Sequence, residues 1–209
     1  MADWVTISAL ATAGGTLILA VATFASVRSA NRAARVAERA LLAGLRPLLM
    51  PSRQGDPEQK VGFVDQHWVH VPGGGGSAEA TDDAVYLVMS LRNVGAGIAV
   101  LHGWHLDPDF TTARSHADLS SFRRLTRDIY VPPSDTGFWQ GAFREPASAE
   151  FTNAAAAIRE RRTLALELLY GDHEGGQRTV SRFHMMPHSD GGWITSVSRH
   201  WNVDRADPR

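Results

Sequence analysis

The first apolar stretch of the chain is also its longest: Val5 to Val27 runs for 23 residues without a charge. As a helix this is about 34 Å, enough to cross a hydrocarbon core of about 30 Å. The pattern predicts a helix that starts near Trp4, outlasts the apolar run and stops at Gly44 and Pro47. Pro47 lacks an amide donor and its ring disfavours helical geometry at Arg46. Residues 1–27 then form a transmembrane anchor, 28–46 a basic amphipathic stalk, 47–203 a cytosolic β domain and 204–209 a polar, frayed tail. A cleavable signal peptide is the competing reading. It would want a positive n-region and a shorter apolar core, whereas the chain begins Met-Ala-Asp-Trp and its arginines follow the apolar run.

At 100° per residue the helix has two unlike faces. Ser8, Thr12, Thr16, Thr23 and Ser26 share one sector, with Ala9 and Gly15 beside them, while Ile7, Leu10, Leu17, Ile18, Val21 and Phe24 lie opposite. Small residues let helix backbones approach closely in lipid, so Ser8, Thr12, Gly15, Thr16 and Thr23 make a candidate packing seam for a second copy or a partner membrane helix. Val27, Ala30, Ala34, Ala37 and Leu41 carry it on at 3-4 spacing. The competing reading is that the hydroxyls simply bond carbonyls of their own helix.

Beyond Pro47 the period changes to two. Strands are expected from Pro47 to Arg53, over Val61 to Val71, over Ala84 to Asn93, and from Ile98 through Leu106. Phe122–Val131 and Thr136–Phe143 follow, separated by Pro132-Pro133, then a short helix capped by Thr152 or Asn153 and running to Arg162. Thr163–Tyr170, Arg178–Met186 and Trp193–Trp201 complete the set, the first two joined by a hairpin through Gly171 to Gly176. Pro72 to Asp83, with four successive glycines, reads as a flexible loop. Short strands at these spacings predict a mainly β domain, an antiparallel sandwich of immunoglobulin type, with a barrel as the alternative.

Charge orients the chain. No Lys or Arg precedes the apolar run, whereas Arg28, Arg32, Arg35, Arg39 and Arg46 follow it, opposed by Glu38. Positive charge resists translocation, which places the chain in the cell membrane as a single pass, N terminus outside and β domain in the cytoplasm. Arg28, Arg32, Arg35 and Arg39 are candidate contacts for anionic lipid, at roughly 1 kcal/mol each; a merely solvated face is the alternative. Net charge is -1 and no aromatic-rich basic groove follows, so nucleic acid is not expected. The absence of cysteine excludes disulfides, thiolate metal sites and cysteine nucleophiles.

Catalytic motifs are missing. The four glycines lack the Lys-Ser/Thr of a phosphate loop, and Gly95-x-Gly97 lacks both a third glycine and a following helix, so a bulge or tight corner explains it. Neither Gly-x-Ser-x-Gly nor His-Glu-x-x-His occurs. Of nine histidines, His67/His70 and His102/His105 stand three apart, on opposite faces of an extended strand, and His184 and His188 would lie about 13 Å apart. No metal or cofactor is therefore expected. Should folding assemble a site, His102, His105, Asp172 and His173 are the residues to inspect. Asp82/Asp83 and Asp107/Asp109 suit turns. Arg123, Arg124 and Arg127 suit a solvated strand face with salt bridges, or contacts to phosphates or a partner, and Trp68, Trp104, Trp139, Trp193 and Trp201 suit core and rim.

The order of anchor, Ala/Arg-rich stalk and β domain, with the phrase Leu91-Arg-Asn-Val-Gly-Ala-Gly-Ile-Ala99, resembles single-pass membrane proteins of actinobacteria. The resemblance implies location and fold and brings no activity. The residues themselves point to a membrane-tethered, non-enzymatic interaction or scaffold module, including an accessory subunit of a membrane complex. The alternative is a ligand-binding or hydrolytic domain with a fold-assembled His/Asp site.

Overall fold

A computed structural model describes residues 3–107 and 114–207, without the side chains of Thr6 and Ala43. Met1, Ala2, Asp109 and the tail residues Pro208 and Arg209 lie outside the described residues. The chain forms two units, Met1–Ala43 and Gly44–Arg209.

The first unit belongs to one helix, α1 (Trp4–Gly44, 41 residues), about 60 Å long. Its described side chains are exposed throughout. A stretch from Ile7 to Leu42 is long and apolar enough to cross a membrane. This is consistent with a single membrane anchor or a signal sequence.

The second unit is mainly β. In chain order it contains β1 (Leu49–Pro51), β2 (Gln59–Gly62), β3 (Trp68–Val71), β4 (Gly75–Ala80), β5 (Val85–Asn93) and β6 (Ala99–Asp107). After them come β7 (Arg123–Val131), β8 (Thr136–Phe143), the helix α2 (Ala149–Arg159), β9 (Leu164–Gly171), β10 (Thr179–Pro187) and β11 (Trp193–Asn202). In place of two sheets face to face, a single antiparallel sheet curls into a half-barrel in the order β5-β4-β11-β10-β9-β6-β7, with β8 on the far side of β5. β1 joins the same edge of β5 as β4, opposite Leu91 to Asn93. The immunoglobulin-like arrangement fails at β4, where Gly75 and Gly76 pair with Ile194 and Trp193 and join what would have been separate sheets.

That junction corrects the reading of Pro72 to Asp83 as a loop. Side chains at Gly75 and Gly76 would collide, since a Cβ on Gly76 would lie 2.7 Å from Met185 Cε and 2.8 Å from the Val88 carbonyl. The glycines mark a crowded strand. Val61 to Val71 is likewise not one strand but the hairpin β2–β3. Phe63 N–H donates to His67 O at 2.8 Å and Gln66 turns the chain with φ 64. The alternation of Val61, Phe63, Val69 and Val71 is the same for a strand and for a hairpin whose arms share a face.

The concave side of the sheet holds the main core. Val85, Leu87, Met89 and Leu91 of β5 point inward, with Trp104, Trp139, Leu164, Leu166, Leu168, Tyr170 and Phe183. α2 adds Phe151, Ala154, Ala155, Ala157 and Ile158 to this core. Its N-cap is Ser148, which accepts the Phe151 N–H, rather than Thr152 or Asn153; Ala-rich sequence after Ser148 extends the helix one turn earlier than its periodicity suggests. On the convex side, the β2–β3 hairpin covers Tyr86 and Val88 with Val61, Phe63, Val69 and Val71. Trp68 is the exception among the domain's tryptophans, exposed with Lys60 over its ring.

Candidate functional site

On α1, Ser8, Thr12, Thr16 and Thr23 each donate a hydroxyl hydrogen to a carbonyl one turn back, at 2.7 to 2.9 Å. Such bonds satisfy the donor in an apolar medium and leave a small, hydroxylated stripe beside Gly15. At Gly15, as at Gly14, a Cβ would meet nothing within 4 Å. Arg28, Arg32, Arg35 and Arg39 are exposed, and Arg35 Nε donates to Asn31 O at 3.2 Å.

Within the second unit, the segment Leu45–Leu48 is bolted to the loop after β5. Asn93 is fully buried. Its Oδ1 accepts Leu48 N–H at 3.1 Å and Gly95 N–H at 2.9 Å, and its Nδ2 donates to Gly97 O at 2.7 Å and Val131 O at 2.9 Å. Val94 and Ala96 amides donate to Leu48 O and Arg46 O. Gly95 and Gly97 are the corner foreseen from sequence, and their reason is contact. A Cβ on Gly97 would sit 1.7 Å from Leu45 O, and one on Gly95 2.4 Å from Leu48 N. Arg46 closes the same region by donating to Asn202 Oδ1 at 2.5 Å.

The His/Asp candidates are not assembled as a set. His102 is skipped by the register of both neighbours, Leu101 and Gly103 being the paired residues. A bulge of this kind re-aims a side chain. It opens beside a cleft of about 630 Å³ whose polar lining is His102, Arg124, Asp128 and Arg178. Burial first, then the Arg178 charge, holds the His102 imidazole below its ordinary value of 6.5. His105 instead meets Ser121 Oγ at 3.3 Å and the Phe122 ring. Asp172 is consumed by its own turn, accepting from Gly176 N at 2.8 Å and Gln177 Nε2 at 3.1 Å, and His173 pairs with Glu174. His67 and His70, on the β2–β3 turn and on β3, pair with Glu79 and Glu58. Among the described residues no three His, Asp or Glu side chains gather as a metal site.

Two polar features escaped the sequence. On the convex face Glu167 and Arg182 form a buried ion pair at 2.5 Å, which also holds the crossing loop: Ala117 N–H donates to Glu167 at 2.8 Å, and Arg182 to Ser115 O at 2.9 Å. Arg182 also lies 5.0 Å over Trp201. The two are cross-strand partners in the β9–β10 hairpin, whose register the apolar alternation alone leaves open. Asp204, where the polar tail begins, accepts from the backbone N–H and two guanidinium nitrogens of Arg178.

The second feature is the open side of the half-barrel. Among the described residues β7 pairs only with β6 and β8 only with β5, although a four-residue turn connects them. Side chains replace the missing ladder. A Cβ on Gly137 would lie 2.7 Å from Val131, and one on Gly141 2.9 Å from the Trp104 ring, so these residues of β6 and β7 fill the glycine positions of β8. On the rim Arg127 donates to Gln140 at 2.9 Å and lies over Phe138, while Arg123 lies over Phe143.

No protein-family model, curated protein or solved structure matches this chain.

Proposed function

We propose that the chain is a membrane-tethered, non-enzymatic interaction or scaffold module, an accessory component of a membrane complex. The β domain stands on the cytoplasmic side, and α1 pairs through Ser8, Thr12, Gly15, Thr16 and Thr23 with a second copy or another membrane helix. The supporting observation is the 41-residue helix whose described side chains are exposed and whose first part is 23 residues without a charge. Buried in water-free lipid, such a surface is stable; in water it would be a large apolar liability. Arg28, Arg32, Arg35 and Arg39 follow the apolar run and favour the cytoplasmic leaflet.

Cell fractionation, reporter fusions and cross-linking in mild detergent test this reading. The full chain should stay with membranes until detergent is added, a reporter after residue 209 should be cytoplasmic, and cross-linked oligomers should weaken in Gly15→Leu/Thr16→Leu. Recovery in the high-speed supernatant, an external reporter, or a monomer in both forms would each remove the corresponding part. A second reading, a ligand-binding domain, draws on the cleft at the His102 bulge.

A further inference from the structure

The two outermost strands of the sheet face each other without pairing, and four arginines surround the gap. Arg123, Arg124 and Arg127 come from β7, and Arg144 follows β8. Between the strands lies a small opening of about 130 Å³ with Trp104 in its lining. Beyond the ladder with β6, the four residues Leu125 to Asp128 are displaced, because Gly103 faces Arg124 while Leu101 already faces Ile129. Both strands thus present main-chain donors and acceptors away from their single partner, the arrangement that accepts an added strand.

We propose that this gap is a docking site for an extended acidic segment of another protein, which adds as a strand to the free edge of β7 or β8. The inference rests on the interaction-module reading and names the partner's chemistry. Charge decides between occupants. A second copy would bring the same arginine-rich edge and be repelled, whereas a strand with carboxylates on alternate residues lays them all on one side, along the face of β7 that carries Arg124. Arg123 and Arg144 are engaged with Glu150 and Asp65, so carboxylates already lie at both ends of the gap. Arg124 has no hydrogen bond or ion pair with any described residue and is left for the partner.

The test uses the full chain in detergent micelles and a fluorescent twelve-residue peptide alternating Glu and Val. Controls are the same peptide with Lys for Glu and one with two central prolines, which cannot complete a ladder. Anisotropy should show the Glu/Val peptide binding at least about tenfold more tightly than either control, weakening with salt. Hydrogen exchange should slow for amides in residues 123–130 or 137–143. Arg124→Glu should lower the affinity about tenfold with a melting temperature close to that of the parent chain, since it breaks no hydrogen bond or ion pair with a described residue. Equal binding of the proline peptide, protection elsewhere, or no binding would overturn the inference. A chain that stays in membranes and cross-links to partners while ignoring the peptide would sink this inference alone; a chain found soluble and solitary would sink the reading beneath it.

Discussion

The side chain of Asn93 receives the amide hydrogen of Leu48 at 3.1 Å, from a position with no exposed surface. One asparagine thereby ties the segment that follows the long helix to the end of β5 and, through Val131 O, to the end of β7. Removing it leaves the Leu48 amide and the carbonyls of Gly97 and Val131 without that partner. Asn93→Ala should cost about 3 kcal/mol of domain stability, measured by chemical denaturation. A cost near zero would mean that water replaces the amide.

Gly97 gives a sharper case. A methyl group there would overlap Leu45 O at 1.7 Å, so the segment 45–48 must move or the loop must open. Gly97→Ala should destabilise by about 3 kcal/mol and speed proteolysis around Leu45. Gly55→Ala, with open space around the new carbon, is the matched control and should leave both measurements unchanged.

Glu167 and Arg182 are buried partners, and loss of either strands the other. Glu167→Gln or Arg182→Met should each destabilise by about 3–5 kcal/mol, while Glu167→Leu/Arg182→Met should recover most of the loss. Limited proteolysis adds a second readout. Cleavage near Ser115 should rise in all three variants, because the backbone of the crossing loop loses its holders.

Acid should weaken the domain in two stages. His102 and His184 are held below 6.5, His102 by burial and then Arg178, His184 by burial and then Arg182. A histidine with a depressed folded value binds its proton more readily when unfolded, so its contribution is present above 6.5 and is lost as pH falls. The carboxylates Asp56 and Asp204 are held below 3.8, chiefly by hydrogen bonds from Arg92 and Arg178, and their contributions disappear at lower pH still. Around His102 stand Asp128, Asp172 and Arg178. Melting temperature should decline between about pH 7 and pH 5, and less steeply in His102→Gln. An identical slope in that variant would exclude His102 as a contributor.

Local periodicity made the long helix, β5, β7, β8 and β9 to β11 legible, because their apolar residues recur at the spacing of the structure they form. Glycine misled where its cause was distant. Gly75 and Gly76 look like flexible linker, yet Met185, Val88 and the strand that begins at Trp193 exclude any side chain there. The choice between separate sheets and a curled one hung on that same two-residue junction. Site residues were least legible. His102 gains its setting from bulges that no alternation announces, and the meeting of Glu167 with Ser115–Ala117 needs the completed sheet. Arg123, Arg124 and Arg127 were visible as a group, but not the unpaired edge they guard.

The stitching of residues 45–48 has a mechanical consequence. A pull arriving along the backbone from Gly44 reaches β1 only after the bonds at Asn93, Val94 and Ala96 have yielded. Those bonds share load with β5, a strand held on both flanks. Tension would thus be spread over interior strands instead of peeling a margin, as a rivet spreads the load of a plate.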